Sequence, residues 1–385
     1  MSRAVMNAPS GEQPQGQCIG CLYASSSDWS TPSRHELAVP NNPETPMAIK
    51  TFSLESFGPL EAISGKNMGG LNLIIGTNST GKTFLLKALY AIQRAQEETG
   101  RGDDRRTFED VLSDKLYSVF QPEELGDLVT RGSGKKLKAN FEVDNNCALA
   151  FGFGPDTAKN VTISHNNLPK RQANSIFLPP KEVLGLFNVI LKSALQDRLF
   201  GFDATYVDLV LALQTPTQAS RNYDAFKTTR KKLEEMFEGR IFFDTSTNKW
   251  LYKKGNAKFS IHATAEGIKK VAILDTLLGN RFLKPDSVVF VDEPESALHP
   301  KAISQLLDTI RILSQEGIQF FMTTHSYFVI KKLYLIAKMD NISIPVLMAG
   351  PSGWSQGDLL DGIPENDIIN ESIRLFDQEL EVIQA

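Results

Sequence analysis

Gly76-Thr77-Asn78-Ser79-Thr80-Gly81-Lys82-Thr83 is the stretch on which the reading of this sequence turns. Its spacing is Gly, four variable residues, then Gly-Lys-Thr. The apolar run Leu71, Leu73, Ile74, Ile75 precedes it, and Phe84, Leu85, Leu86, Ala88 and Leu89 follow at helical spacing. A buried strand, a glycine turn and a helix start are the setting in which this pattern cradles phosphate. Glycines let backbone N–H groups converge on an anion with no Cβ in the way, and the new helix adds the positive end of its dipole. Lys82 is expected to bring a mobile cation to the β- and γ-phosphates, and Thr83 a hydroxyl ligand for Mg²⁺.

Val288-Val289-Phe290-Val291-Asp292-Glu293-Pro294 joins four apolar residues to two carboxylates. Acids at the C-terminal end of a buried strand emerge where ligands bind in open α/β sheets. Asp292 is expected to hold Mg²⁺ through its water shell, and Glu293 to orient or deprotonate an attacking water. One helix later comes Phe320-Phe321-Met322-Thr323-Thr324-His325-Ser326. His325 then stands beside the phosphate loop, able to bond the γ-phosphate or the water. His35, His165, His262 and His299 lack such a setting and read as surface or loop residues.

Apolar residues make up 41% of the 385 and charged residues 22%, enough for one large α/β domain or two modest ones. The net charge of −4 advertises no nucleic-acid coat, although a local groove can still be positive. Three cysteines argue against a disulfide framework and fit a reducing compartment. No apolar run is long enough to span a bilayer, and no secretory signal is visible, so a cytoplasmic protein without membrane contact is expected.

Residues 1–46, rich in Ser, Pro, Gly, Gln and Asn, read as a disordered N-terminal extension. Translation starts either at Met1, making this a genuine tail, or at Met47. The lone Cys18-x-x-Cys21 inside it has no second ligand pair for zinc. From 47 onward the pattern predicts two strands before the phosphate loop, a helix to Glu97 or Glu98, and a helix over 108–120. Short strands at 139–143, 147–153 and 161–164 follow, with a turn at Asn145-Asn146. The strand ending at Pro179-Pro180 leads to a helical insertion over about 183–239, then a three-stranded hairpin region. A helix over 267–278 precedes the Asp-Glu strand, and the last strand is expected at 344–348. An amphipathic helix over 365–382 closes a C-terminal helical tail at 351–385.

The order phosphate loop, Asp-Glu strand, Thr-His-Ser strand resembles the ABC-type ATPase head. More narrowly it resembles the SMC/RecF group and the bacterial OLD-like ATPases, through Phe52-Ser53-Leu54-Glu55-Ser56-Phe57-Gly58-Pro59-Leu60 and Val291-Asp292-Glu293-Pro294-Glu295-Ser296-Ala297-Leu298-His299-Pro300. The implied fold class is α/β: a P-loop NTPase over 47–350, with an ABC ATPase-type head, an antiparallel β subdomain and the helical insertion. The resemblance further implies a head-to-head dimer with ATP sandwiched between each phosphate loop and the other subunit's signature motif. The signature candidate is Ala263-Thr264-Ala265-Glu266-Gly267-Ile268-Lys269-Lys270, of which Thr264, Ala265, Glu266 and Gly267 are carried over as nucleotide-binding. Ala265 stands where the family has serine, so either Thr264 substitutes or backbone N–H groups alone meet the γ-phosphate. Pro179-Pro180-Lys181-Glu182 falls where the family's Q-loop lies, and Gln172 is the nearest glutamine upstream.

Three functions compete. One is an ATP-hydrolysing switch in DNA repair or phage defence, a homodimer or higher assembly controlling a separately encoded effector such as a nuclease, with DNA as a further partner. The chain ends too soon after its last strand for a nuclease domain of its own. The second is a nucleotide-dependent scaffold with little turnover, which Ala265 keeps open. The third, a transporter ATP-binding subunit, has the missing Leu-Ser-Gly-Gly-Gln signature against it.

Overall fold

Apolar runs without polar interruption become strands buried on both faces, and the chain builds its central sheet from them. The computed structural model describes residues 49–384 apart from 133, 145, 146, 198–200, 217–225, 237 and 238. The chain divides into Met1–Glu44 and Thr45–Ala385, and every described element belongs to the second unit. The Cys18–Cys21 pair, the Met47 start and the Asn145-Asn146 turn lie outside the described residues.

β1 (Thr51–Phe57) and β2 (Leu60–Gly65) form a hairpin, and β3 (Leu71–Gly76) runs through the phosphate loop into α1 (Lys82–Glu98). α2 (Phe108–Phe120) opens on a capping box in which Thr107 and Asp110 each accept the other's backbone N–H. β4 (Leu137–Asp144), β5 (Cys147–Phe153) and β6 (Thr162–Asn166) are antiparallel, and β7 (Ile176–Leu178) stops at its two prolines, which have no N–H for a ladder. The helical stretch holds α3 (Phe187–Leu191), α4 (Ala204–Gln214) and α5 (Lys227–Met236). β8 (Arg240–Asp244), β9 (Lys249–Lys254) and β10 (Ala257–Ser260) make a small antiparallel sheet. α6 (Glu266–Gly279), β11 (Val288–Asp292), α7 (Pro300–Gln315), β12 (Gln319–Thr324) and α8 (Tyr327–Asp340) alternate regularly. β13 (Pro345–Gly350), β14 (Gly353–Asp358) and α9 (Asp367–Gln384) finish the chain. β13 is therefore not the last strand: β14 pairs with it antiparallel and extends the sheet by one edge.

The central sheet has the order β14-β13-β3-β12-β11-β7, parallel except for β14, and the antiparallel sheet has the order β2-β1-β4-β5-β6. Alternation along the central strands divides two cores. Leu73, Ile75, Val289, Val291, Phe320 and Met322 face one core with α6, α7 and α8. Ile74, Val288, Phe290 and Phe321 face the other, with α1 and the antiparallel sheet. α1 runs between the sheets, and the Tyr90 ring meets Phe177 and Phe290 edge-on at 5.7 Å each. A fully buried aromatic contributes about 2–3 kcal/mol, against about 0–1 kcal/mol for a surface ion pair. These rings outweigh any exposed ion pair in holding α1 to the sheet, and the buried ion pairs of Glu97 with Arg94 and Arg171 add to them.

Candidate functional site

The phosphate loop, the acidic pair and the Thr-His-Ser turn leave the ends of β3, β11 and β12, and β12 lies between the other two. The loop has left-handed backbone at Ser79 and Gly81, and Gly76 has φ 153. A Cβ on Gly76 would meet Ala349 Cβ at 2.9 Å, and one on Gly81 would meet Leu60 at 2.9 Å, so both positions need glycine. Lys82 is buried and donates to the carbonyls of Gly76 and Thr77 at 2.9 and 2.7 Å. Burial pulls its ammonium below the usual lysine range, opposed by Glu293, Asp292 and Glu295.

Thr83 Oγ1 lies 3.0 Å from both carboxylate oxygens of Asp292, and the Thr323 hydroxyl donates to the same carboxylate. Burial pushes the Asp292 carboxyl up, while hydroxyl donors and Lys87 pull it down. Among the described residues no cation lies within ion-pair distance of it. A buried carboxylate with hydroxyl partners and no cation in ion-pair contact fits a divalent cation held with Thr83. Glu293 follows with φ 50, and its N–H points to the Thr323 carbonyl and hydroxyl, 3.2 Å each. His325 Nδ1 sits 3.2 Å from Glu293 Oε1.

Asn78, Ser79, Thr80, Gly81, Lys82, Thr83 and Glu293 line one cleft of about 550 Å³. Its other wall, which sequence reasoning missed, comes from Pro59, Phe84, Phe120 and Gln121 and from the Lys87–Asp203 ion pair at 2.6 Å. The Phe84 and Phe120 rings pack on each other at 4.5 Å. Two more groups were given no role of their own by the sequence. Lys270 of α6 donates to the Glu293 carbonyl at 2.7 Å; burial pulls its ammonium down to about 8 against the pull of Glu295, Asp292 and Glu293. Glu295 Oε1 accepts from the Thr324 hydroxyl at 2.6 Å and the His325 N–H at 3.3 Å, and its Oε2 is buried without a partner.

Among the described residues lining this cleft, Thr264, Ala265 and Gly267 do not appear. The Thr264 side chain is buried and its hydroxyl donates to the Ser260 carbonyl at 3.3 Å; Ala265 caps α6 with no side-chain bond. Gly267 packs against Leu298 and the Ala297 carbonyl, which a Cβ would meet at 2.6 and 3.2 Å. Glu182 accepts from the Gly185 N–H at 2.6 Å and lies 3.8 Å from Lys269, and neither it nor exposed Lys181 is among the described residues lining the cleft.

A parallel sheet that presents phosphate loop, acidic pair and histidine turn from neighbouring strand ends defines a P-loop ATPase head of the ABC type. The chain belongs to the family described as "AAA domain, putative AbiEii toxin, Type IV TA system", which matches residues 71–331. Among solved structures it is similar to an SmcHead bound to the C-winged helix domain of ScpA, at 13% identity over 80% of this chain and 97% of that one, TM-score 0.49. It is also similar to the SMC head domain from Thermotoga maritima, at 12% identity over 81% and 99%, TM-score 0.44. A third is an Smc head domain with an extended coiled coil bound to the C-terminal domain of ScpA derived from Pyrococcus furiosus, at 12% identity over 86% and 98%, TM-score 0.46. No curated protein matches the sequence significantly. Among the described residues, no helix is long and apolar enough to cross a membrane.

Proposed function

We propose that this chain binds and hydrolyses Mg-ATP, and that ATP-dependent pairing of two heads is a switch acting on a separately encoded effector. The observation that carries it is the Thr83–Asp292 contact beside a cleft lined by Glu293, which His325 holds. In this reading Lys82 leaves the loop carbonyls for the β- and γ-phosphates, and backbone N–H groups of 77–83 cradle them. Thr83 and Asp292 would hold Mg²⁺, which would supply positive charge to the phosphate oxygens. Water attacks the γ-phosphorus, its proton passes to the Glu293 carboxylate, and the bond to the ADP oxygen breaks. His325 keeps Glu293 aimed, and Phe84 and Phe120 offer an apolar wall to the base.

The position of Thr264, Ala265 and Gly267 outside this cleft is in keeping with their meeting a nucleotide held by a second copy. The toxin–antitoxin wording of the family's description favours phage defence over repair as the setting, with DNA as a possible further partner of the assembly. One observation favours the scaffold reading: with the Thr264 hydroxyl spent on Ser260 and a methyl at Ala265, α6 offers the γ-phosphate backbone N–H groups without a side-chain hydroxyl. Phosphate release with Mg-ATP separates the two. Wild type should turn over, with Lys82→Ala and Glu293→Gln slower by about a hundredfold or more, and chelation of Mg²⁺ should stop it. Wild-type turnover no faster than in both variants would sink hydrolysis and leave the scaffold.

A further inference from the structure

Glu295 stands two residues past Glu293, on the turn that leaves β11, and is not among the described residues lining the cleft. Its Oε1 reaches the end of β12, where it accepts from the Thr324 hydroxyl at 2.6 Å and the His325 N–H at 3.3 Å. The Thr324 oxygen in turn accepts the Ser326 N–H at 3.0 Å, which fixes the direction of its own proton. Thr324 is fully buried, and backbone donors at a strand end cost free energy when left unpaired there. One carboxylate oxygen therefore ties down the turn 324–326. His325 leaves that turn with its Nδ1 3.2 Å from Glu293 Oε1.

Closing this turn takes one acceptor oxygen, and Glu295 has two. Oε2 is buried without a hydrogen-bond partner, a costly arrangement that turn closure alone does not explain. Lys270 of α6 accounts for the charge. Its ammonium donates to the Glu293 carbonyl at 2.7 Å, and of the three carboxylates that oppose its loss of charge on burial, Glu295 counts most. Both lines of contact end on the same residue. We propose that Glu295 is a positioning residue that holds Glu293 from two sides, the carboxylate through the His325 turn and the backbone carbonyl through Lys270. Its effect on catalysis rests on Glu293 acting on the attacking water, as proposed above, whereas its hold on the turn needs no nucleotide.

Two substitutions separate the two holds. Glu295→Ala removes both, while Glu295→Gln keeps an acceptor oxygen for the turn and removes the charge. In Mg-ATP phosphate release Glu295→Ala should lower kcat about tenfold or more with KM for ATP unchanged, and Glu295→Gln only about threefold. Beside Lys270→Met, Glu295→Gln should cost nothing further, because the ammonium it acts on is gone, and Glu295→Ala should still slow the reaction. Hydrogen exchange on the nucleotide-free full chain reads the turn without catalysis. The His325 and Ser326 amides should exchange about tenfold faster in Glu295→Ala and stay protected in Glu295→Gln, with unchanged circular dichroism in both. Wild-type kcat in Glu295→Ala, a change in KM alone, or Glu295→Gln as slow as Glu295→Ala overturns the proposal. A Glu295→Gln cost that persists in full beside Lys270→Met overturns it as well. A wild type that releases no phosphate sinks hydrolysis, and exchange then decides: amides indifferent to Glu295→Ala overturn the hold on the turn.

Discussion

Burial and charge oppose each other at Asp292. Burial raises the folded pKa of its carboxyl above the unfolded value, so the ionised group costs stability at neutral pH. That cost fades as pH falls through the folded pKa and is gone below the unfolded one. Asp292→Asn should therefore raise the Tm by about 2 °C in metal-free buffer, with a difference from wild type that shrinks on acidification, and should abolish phosphate release. A lower Tm for the variant would contradict this. Lys270 acts on the neighbouring residue: its bond to the Glu293 carbonyl supports a left-handed backbone that aims the carboxylate at His325. Lys270→Met should lower kcat about tenfold with KM for ATP unchanged, and Lys270→Arg should recover part of it. A shift in KM alone would make Lys270 a binding group. The loop, Asp292, Glu293 and His325 were legible in sequence because each motif is contiguous and follows a strand. Lys270, Glu295 and Gln121 were not, because their meaning depends on which distant backbone or ring they meet.

α1 shows the same limit for elements. Its boundaries follow from the glycine turn and the apolar spacing, and the structure has it at Lys82–Glu98. Its buried charges carry no such signature. Glu97 is 1% exposed and binds Arg94, Arg171 and the Ser175 hydroxyl, while Lys115 joins Glu98 to Asp208, which also takes the Tyr90 hydroxyl at 2.5 Å. These partners come from α2, α4 and the approach to β7, so no local pattern announces them. Removing one member leaves the others charged and buried, so Glu97→Ala should cost about 3 kcal/mol in urea unfolding. A cost under about 1 kcal/mol would mean that water satisfies Arg94 and Arg171. β14 escaped prediction for the opposite reason: Gly353-Trp354-Ser355-Gln356-Gly357-Asp358 is a polar edge strand whose pairing with β13 supplies its order.

At the scale of the whole molecule, two heads closing on ATP is the central claim. Each head carries a phosphate loop and a separate start of α6 that its own cleft does not use. The measurement is light scattering on a sizing column of the Glu293→Gln variant, with and without Mg-ATP. The expected result is a single-chain mass without nucleotide and twice that mass with Mg-ATP, reversed by Lys82→Ala. A mass that ATP leaves unchanged, in a protein that binds ATP, would contradict the two-head switch.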